Sequence, residues 1–250
     1  MHKQTYNLRK KKKGVKNDLL VDGFVYTGEH KDPVRINFVQ YDGLNYKQKE
    51  LSADDNFSMI FQPGKVNWMH GSGLSDTALI SRIGKMLKMH STDIQDILTS
   101  QHIAKIEQYS DKTILVVNTF YYTDQKELQQ EHICVILGKD YVVSFQESEL
   151  PLFDNIITAI ERNTALVRTH NILGNYLDVI AALEEELEKM EDEVLTRDPR
   201  EDFGNRIQAN RRDYLQLKKS ILPLKDDCNK LIHNENKLIK EENMVYLNDL

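Results

Sequence analysis

Apolar spacing changes its period partway along the chain. Through residues 20 to about 145 the pattern mixes period-two stretches with short helical ones. VRINFVQY (34–41) alternates apolar and polar positions, as a half-buried strand does. VNWMHGSG (66–73) reads as a strand ending in a turn. SDTALISRIGKMLKMH (75–90) then sets Leu79, Ile80, Ile83, Met86 and Leu87 on one helical face behind a Ser75 or Asp76 cap. TILVVNTFYY (113–122) and HICVILGKDYVVSF (132–145) are rich in β-formers, and Gly138-Lys139-Asp140 splits the second into a hairpin. LPLFDNIITAIER (150–162) closes this half as an amphipathic helix with Pro151 near its first turn. Interleaved strands and helices predict an α/β layered unit, which we bound at 21–165.

From Tyr176 the strand signal disappears. Tyr176, Ile180, Leu183, Leu187, Met190 and Val194 alternate four and three apart, a heptad seam. Pro199 and Gly204 interrupt it, and the seam resumes through Tyr214, Leu217, Ile221, Leu224, Cys228, Leu231, Leu238 and Val245. Two helices in an antiparallel hairpin over 166–250 follow, the second of roughly 45 residues or about 65–70 Å, with Pro223 in its interior. The acidic run EEELEKMEDE (184–193) reads as the wet face of the first. Heptads still run at ENMVYLNDL (242–250) without a capping signature, which predicts a helix continuing into a longer protein.

Composition narrows the function. A formal charge of -6 does not suggest nucleic-acid binding. The basic cluster Lys10–Lys13 lies in a 1–20 tail with no apolar h-region behind it, so the tail reads as solvated and disordered rather than as a secretory signal. No run of about twenty apolar residues exists to span a bilayer. Cys134 and Cys228 lack ligand spacing and read as buried free thiols. GxGxxG, Walker, HExxH and GxSxG motifs are absent, and no enzyme is expected.

The stretch HSTDIQDILTSQHIAK (90–105) holds Asp93 and Asp96 at a helix start. Thr92 and Gln95 have the spacing of a capping box, and Asp93 gains from the helix dipole in the first turn. Asp96 on its own reads as a surface carboxylate, since hard cations want several oxygens.

The order and spacing of VYTGEH, VNWMHGSGLSD, IGKMLKMHSTDIQDILTSQHIAKIEQYSDKTILVV, EHICVILGKDYVVSFQES and FDNIITAIERN resemble the cytoplasmic domain of the CorA magnesium transporters. The likeness continues through ALEEELEKMEDEVLTR, NRRDYLQLKKSILPLKDD and MVYLNDL, and runs from about Val25 to Leu250. DILTSQHIAKIEQYSD and SILPLKDD around Pro223 are its most specific pieces.

The resemblance implies an αβα sandwich with a mixed sheet, then a helical hairpin and stalk helix leading to a first membrane span beyond Leu250. It implies a homopentamer on the cytoplasmic side of the cell membrane, transporting Mg2+ or Co2+. It also implies regulatory Mg2+ between Asp96 of one subunit and Asp249 of its neighbour. Two departures stand out. Gln95 replaces an acidic residue common in the family, and the chain is shorter than the family pattern between Asn163 and Ala165. The alternatives are the equivalent region of a ZntB-type zinc transporter and a coiled-coil scaffold.

Overall fold

A computed structural model describes residues 23–42, 45–161, 170–196, 202–233 and 235–239. The expected basic tail, the Asn163–Ala165 junction and Asp249 lie outside the described residues.

The period-two stretches form one sheet. Strands β1 (Arg35–Tyr41), β2 (Tyr46–Leu51), β3 (Val66–Ser72), β4 (Lys105–Gln108), β5 (Lys112–Tyr122), β6 (Leu128–Gly138) and β7 (Tyr141–Gln146) lie in the order β2-β1-β3-β7-β6-β5-β4. Every neighbouring pair is antiparallel except β3 and β7, which makes the sheet mixed. β5 and β6 pair along their whole length, from Lys112 opposite Gly138 to Tyr122 opposite Leu128. The expected hairpin at Gly138-Lys139-Asp140 joins β6 to β7.

Alternation sends neighbouring side chains to opposite faces. Ile36, Phe38, Ile114, Val116, Cys134 and Ile136 pack beneath α1 (Thr77–Met86) and α2 (Ser91–Ile97). Val39, Trp68, Val117 and Ile133 pack on the other face, under Phe153, Ile160 of α3 (Asp154–Glu161) and Leu224 of α5 (Phe203–His233). Both faces are covered, so the layers are helix, sheet and helix. Each fully buried Ile or Phe contributes about 1.5–3 kcal/mol.

Local chemistry sets the joints. Gly73 has a φ of +84°, and a Cβ there would lie 3.0 Å from the Pro33 carbonyl oxygen, so the turn after β3 favours glycine. Asp76 then caps α1, accepting from the Leu79 N–H at 2.9 Å, while Ser75 donates to the Asp32 carbonyl. Gly84 lets α2 approach closely: a Cβ there would sit 2.6 Å from Ile94 Cγ1.

The second half is helical, as its heptads require. α4 (His170–Thr196) and α5 meet around Phe120, with Val179, Leu183 and Leu217 buried against it. Arg206 ties the helices together, bonding Glu186 at 2.5 and 2.8 Å and Glu193 at 2.6 Å. The α4 seam is only partly used. Met190 is buried but Leu187 and Val194 are exposed, because α4 packs on β5 as well as on α5.

One expectation is corrected. The described part of α5 ends at His233 after 31 residues, where the heptads predict a helix of roughly 45. Beyond it, the Asn236 amide donates to the carbonyls of Tyr109 (3.0 Å) and Lys112 (3.3 Å) and to Thr113 Oγ1 (2.7 Å). Asn236 bonds the end of the sheet instead of extending the helix, and apolar spacing is blind to that competition. α5 also closes an open edge. Asp227 accepts from the Ile106 N–H at 2.9 Å and Lys230 donates to the Ile106 carbonyl at 3.1 Å, which occupies the free side of β4. Among the described residues no helix is long and apolar enough to cross a membrane.

Candidate functional site

The site is built on α2 and the edge strand after it. The helix begins at Ser91 with His90 as its N-cap, and no side chain caps it. The Thr92–Gln95 capping box does not form, because Gln95 is used elsewhere. Its amide receives the Val25 N–H at 3.1 Å and donates to the Val25 carbonyl at 2.7 Å, holding the N-terminal segment to the domain.

Asp93 and Asp96, three apart, share a face of α2. Asp93 does sit in the first turn, but it is only 2% exposed. The Tyr109 hydroxyl donates to both its oxygens, at 2.9 and 3.1 Å. Burial and that bond to an anion both push the Tyr109 hydroxyl well above its ordinary pKa. Asp93 is therefore part of the interior rather than a solvated helix-start carboxylate.

Asp96 is 15% exposed at its side chain, and both its oxygens are held. His102 Nε2 lies 2.9 Å from Oδ1 and Lys105 Nζ lies 2.6 Å from Oδ2. Lys105 also approaches Asp93 at 3.8 Å and Glu107 at 3.9 Å. The other ring nitrogen of His102, Nδ1, faces the Ile103 carbonyl at 2.6 Å. A carboxylate and a carbonyl both accept, so both nitrogens are placed to donate, the arrangement that favours an imidazolium.

The titrations follow from these contacts. Burial works to raise the Asp96 pKa, but hydrogen bonds from His102 and Lys105 outweigh it and the carboxyl is held below its usual range. The bond to Asp96 raises His102 against the cost of burial. Burial disfavours the charge on Lys105, yet its bond to Asp96 and the surrounding carboxylates raise its pKa. Behind the cluster, His132 Nε2 meets the Asp96 carbonyl oxygen at 3.1 Å, and full burial pushes this ring down to about 4.

The cluster is an ion-paired link between helix and strand. Among the described residues no group of three or more His, Cys, Asp or Glu is arranged to hold a metal ion. Of the two α2 aspartates only Asp96 is partly exposed, and Glu107 lies on the other side of Lys105 from it. A divalent cation would need oxygens from another segment or another chain, while keeping its own water shell. Sequence reasoning found Asp96 and missed Tyr109, His102 and Lys105 as its surroundings. All three lie within DILTSQHIAKIEQYSD (96–111), but only the turn from α2 into β4, and the one after β4 for Tyr109, brings them to the aspartates.

Comparison with known proteins gives these residues a family. The profile described as "CorA-like Mg2+ transporter protein" matches residues 63–250. The "Cobalt/magnesium transport protein CorA" of Thermotoga maritima is 23% identical over 255 aligned positions, covering 97% of this chain and 72% of that protein. The soluble domain of CorA from Methanocaldococcus jannaschii superimposes with a TM-score of 0.63 at 14% identity, over 85% of each chain. The ZntB cytoplasmic domain from Vibrio parahaemolyticus does so with a TM-score of 0.61 at 12% identity, over 84% of this chain and 86% of that one. The sandwich, the paired C-terminal helices and a profile match over three-quarters of the sequence agree, and the chain belongs to the family of CorA-like Mg2+ transporter proteins.

Proposed function

We propose that the chain is the cytoplasmic, Mg2+-sensing region of a CorA-type divalent cation transporter. In this reading it assembles as a homopentamer, with a hydrated Mg2+ held between Asp96 of one subunit and Asp249 of the next. The observation that carries it is the family match over 63–250, which includes both aspartates. The reading assigns the chain no catalytic step. Transport of Mg2+ or Co2+ belongs to membrane segments of the whole protein.

The chemistry of Asp96 is compatible with that role. Its carboxylate is ionised, partly exposed and fixed in direction by His102 and Lys105. Mg2+ gives up its waters reluctantly, so it meets such a carboxylate through its hydration shell and leaves the Lys105 bond in place. A second carboxylate from a neighbouring subunit supplies the remaining negative charge. Binding then favours the closed, symmetric ring because only that state brings both carboxylates to one ion. A fall in cytosolic Mg2+ empties the sites and shifts the population toward open states.

The test uses the full-length assembled protein. Mg2+ should slow its proteolysis within the helical half, and Asp96→Asn or Asp249→Asn should each shift the protecting concentration upward by about tenfold, or 1.4 kcal/mol. Unchanged protection in both variants overturns the sensing role. A zinc-transport reading has one observation in its favour, the nearly equal TM-score to the ZntB domain. Protection by Zn2+ in preference to Mg2+ would select it.

A further inference from the structure

A cleft of about 670 Å3 opens between α5 and the sheet, beside the α2 cluster and sharing His102 with it. Arg211, Arg212 and Lys219 of α5 form one wall, and His102 stands on the other. Among the described residues no carboxylate lines it, in a chain whose formal charge is -6. Its base is made of amides. Gln216 donates to Gln130 at 3.4 Å, and Gln130 donates to the Ser100 carbonyl at 3.1 Å, joining helix to sheet.

The cations are not there to hold the fold together. Among the described residues neither Arg211 nor Lys219 makes an ion pair, and Arg212 approaches only Asp213, at 4.0 Å. That carboxylate is 15% exposed and accepts from the Tyr122 hydroxyl at 3.3 Å. Arg206, one turn before Arg211 on the same helix, shows the contrast, since both of its acidic partners are present. Arg211 and Arg212 adjoin and Lys219 lies two turns on, so an anion held between them is attracted by all three charges. Arg presents a fork of donors suited to phosphate oxygens, and Lys adds a point charge. The volume falls within the roughly 300–1,000 Å3 of small-molecule sites.

We propose that this cleft binds a small, multiply charged phosphate ester of nucleoside diphosphate size, with Arg211, Arg212 and Lys219 on its phosphates and the amides on its polar remainder. The proposal uses neither Asp96 nor Asp249, and His102, shared between the cleft and Asp96, is left unchanged in its test. A concave site in an acidic chain suits a small anion better than a nucleic acid, which needs an extended basic face.

Calorimetric titration of the 250-residue chain with ADP and with pyrophosphate, with a chelator present and about 150 mM salt to screen loose charge pairing, tests it. One-to-one saturable binding of at least one anion is expected, with a Kd of about 100 μM or tighter. The double variant Arg211→Gln/Lys219→Gln should weaken it at least about tenfold. Lys49→Gln, which removes one exposed charge on the far edge strand, should leave it within about twofold. Both side chains changed in the double variant are exposed, and an unaltered melting temperature shows that the fold is retained. Absence of saturable binding by both anions overturns the proposal, as does equal weakening by Lys49→Gln.

Discussion

A carboxylate with as little exposure as Asp93 keeps its place only if its oxygens are satisfied, and Tyr109 satisfies both. Tyr109→Phe preserves the ring's packing and removes the donor. We expect it to cost about 1–3 kcal/mol in urea unfolding, because the buried carboxylate loses its hydroxyl partner; a loss below a few tenths would mean that Lys105, 3.8 Å away, suffices. Asp96 and His102 give a pH signature. The Asp96 pKa is depressed, so its contribution is present above the unfolded value of 3.8 and fades as pH falls. The His102 pKa is raised, so its contribution is complete below 6.5 and fades as pH rises through the folded value. The stability gap between the wild type and His102→Gln should accordingly be widest below pH 6.5 and shrink as pH rises through the raised folded value, and a gap that widens instead would remove the imidazolium assignment. The sequence made the aspartate pair and the first-turn place of Asp93 plain, and left the burial of Asp93 unread. Helix position predicts dipole and cap effects, but burial of Asp93 depends on a tyrosine brought in by a later strand.

Elements were legible where their periods were pure. The alternation in β1, β5 and the β6–β7 hairpin is the observed alternation of faces, and the Asp76 cap sits where the apolar stripe of α1 begins. Legibility failed at α5, whose heptads run past the point where Asn236 turns to the sheet. It also failed at the α4 seam, where contact with β5 leaves Leu187 and Val194 exposed. The docking of α5 along β4 has its own test. Asp227→Ala leaves the Ile106 N–H, in a fully buried residue, without its acceptor. We expect a loss of about 1–3 kcal/mol and faster amide exchange across β4. Exchange that remains slow would mean that Lys230 and Gln108 hold the edge unaided.

At the scale of the whole sandwich, each face of the sheet contains a histidine that folding keeps neutral. His132 lies under α2, against the Asp96 carbonyl, and His70 lies under the other layer, 2.8 Å from Ser144 Oγ and 4.7 Å from the Phe153 ring centroid. Burial lowers both from 6.5 to about 4. A depressed histidine contributes stability above its unfolded pKa and loses it as pH falls, because the unfolded chain takes up a proton that the folded chain refuses. Between pH 6.5 and 4 each histidine should therefore steepen the fall in stability by up to about 1.4 kcal/mol per pH unit. Glu131 and Glu147 cannot produce that limb. Burial raises both, so their effect has the opposite sign and is lost as pH rises. The Asp96 contribution begins to fade only near 3.8, below most of this window. Acid should thus loosen both layers together. His70→Gln combined with His132→Gln should flatten the stability profile between pH 6.5 and 4, even if the variant starts lower at pH 7. Urea midpoints measured at half-unit steps give the slope directly, and a double variant as steep as the wild type would show that other groups drive the acid transition.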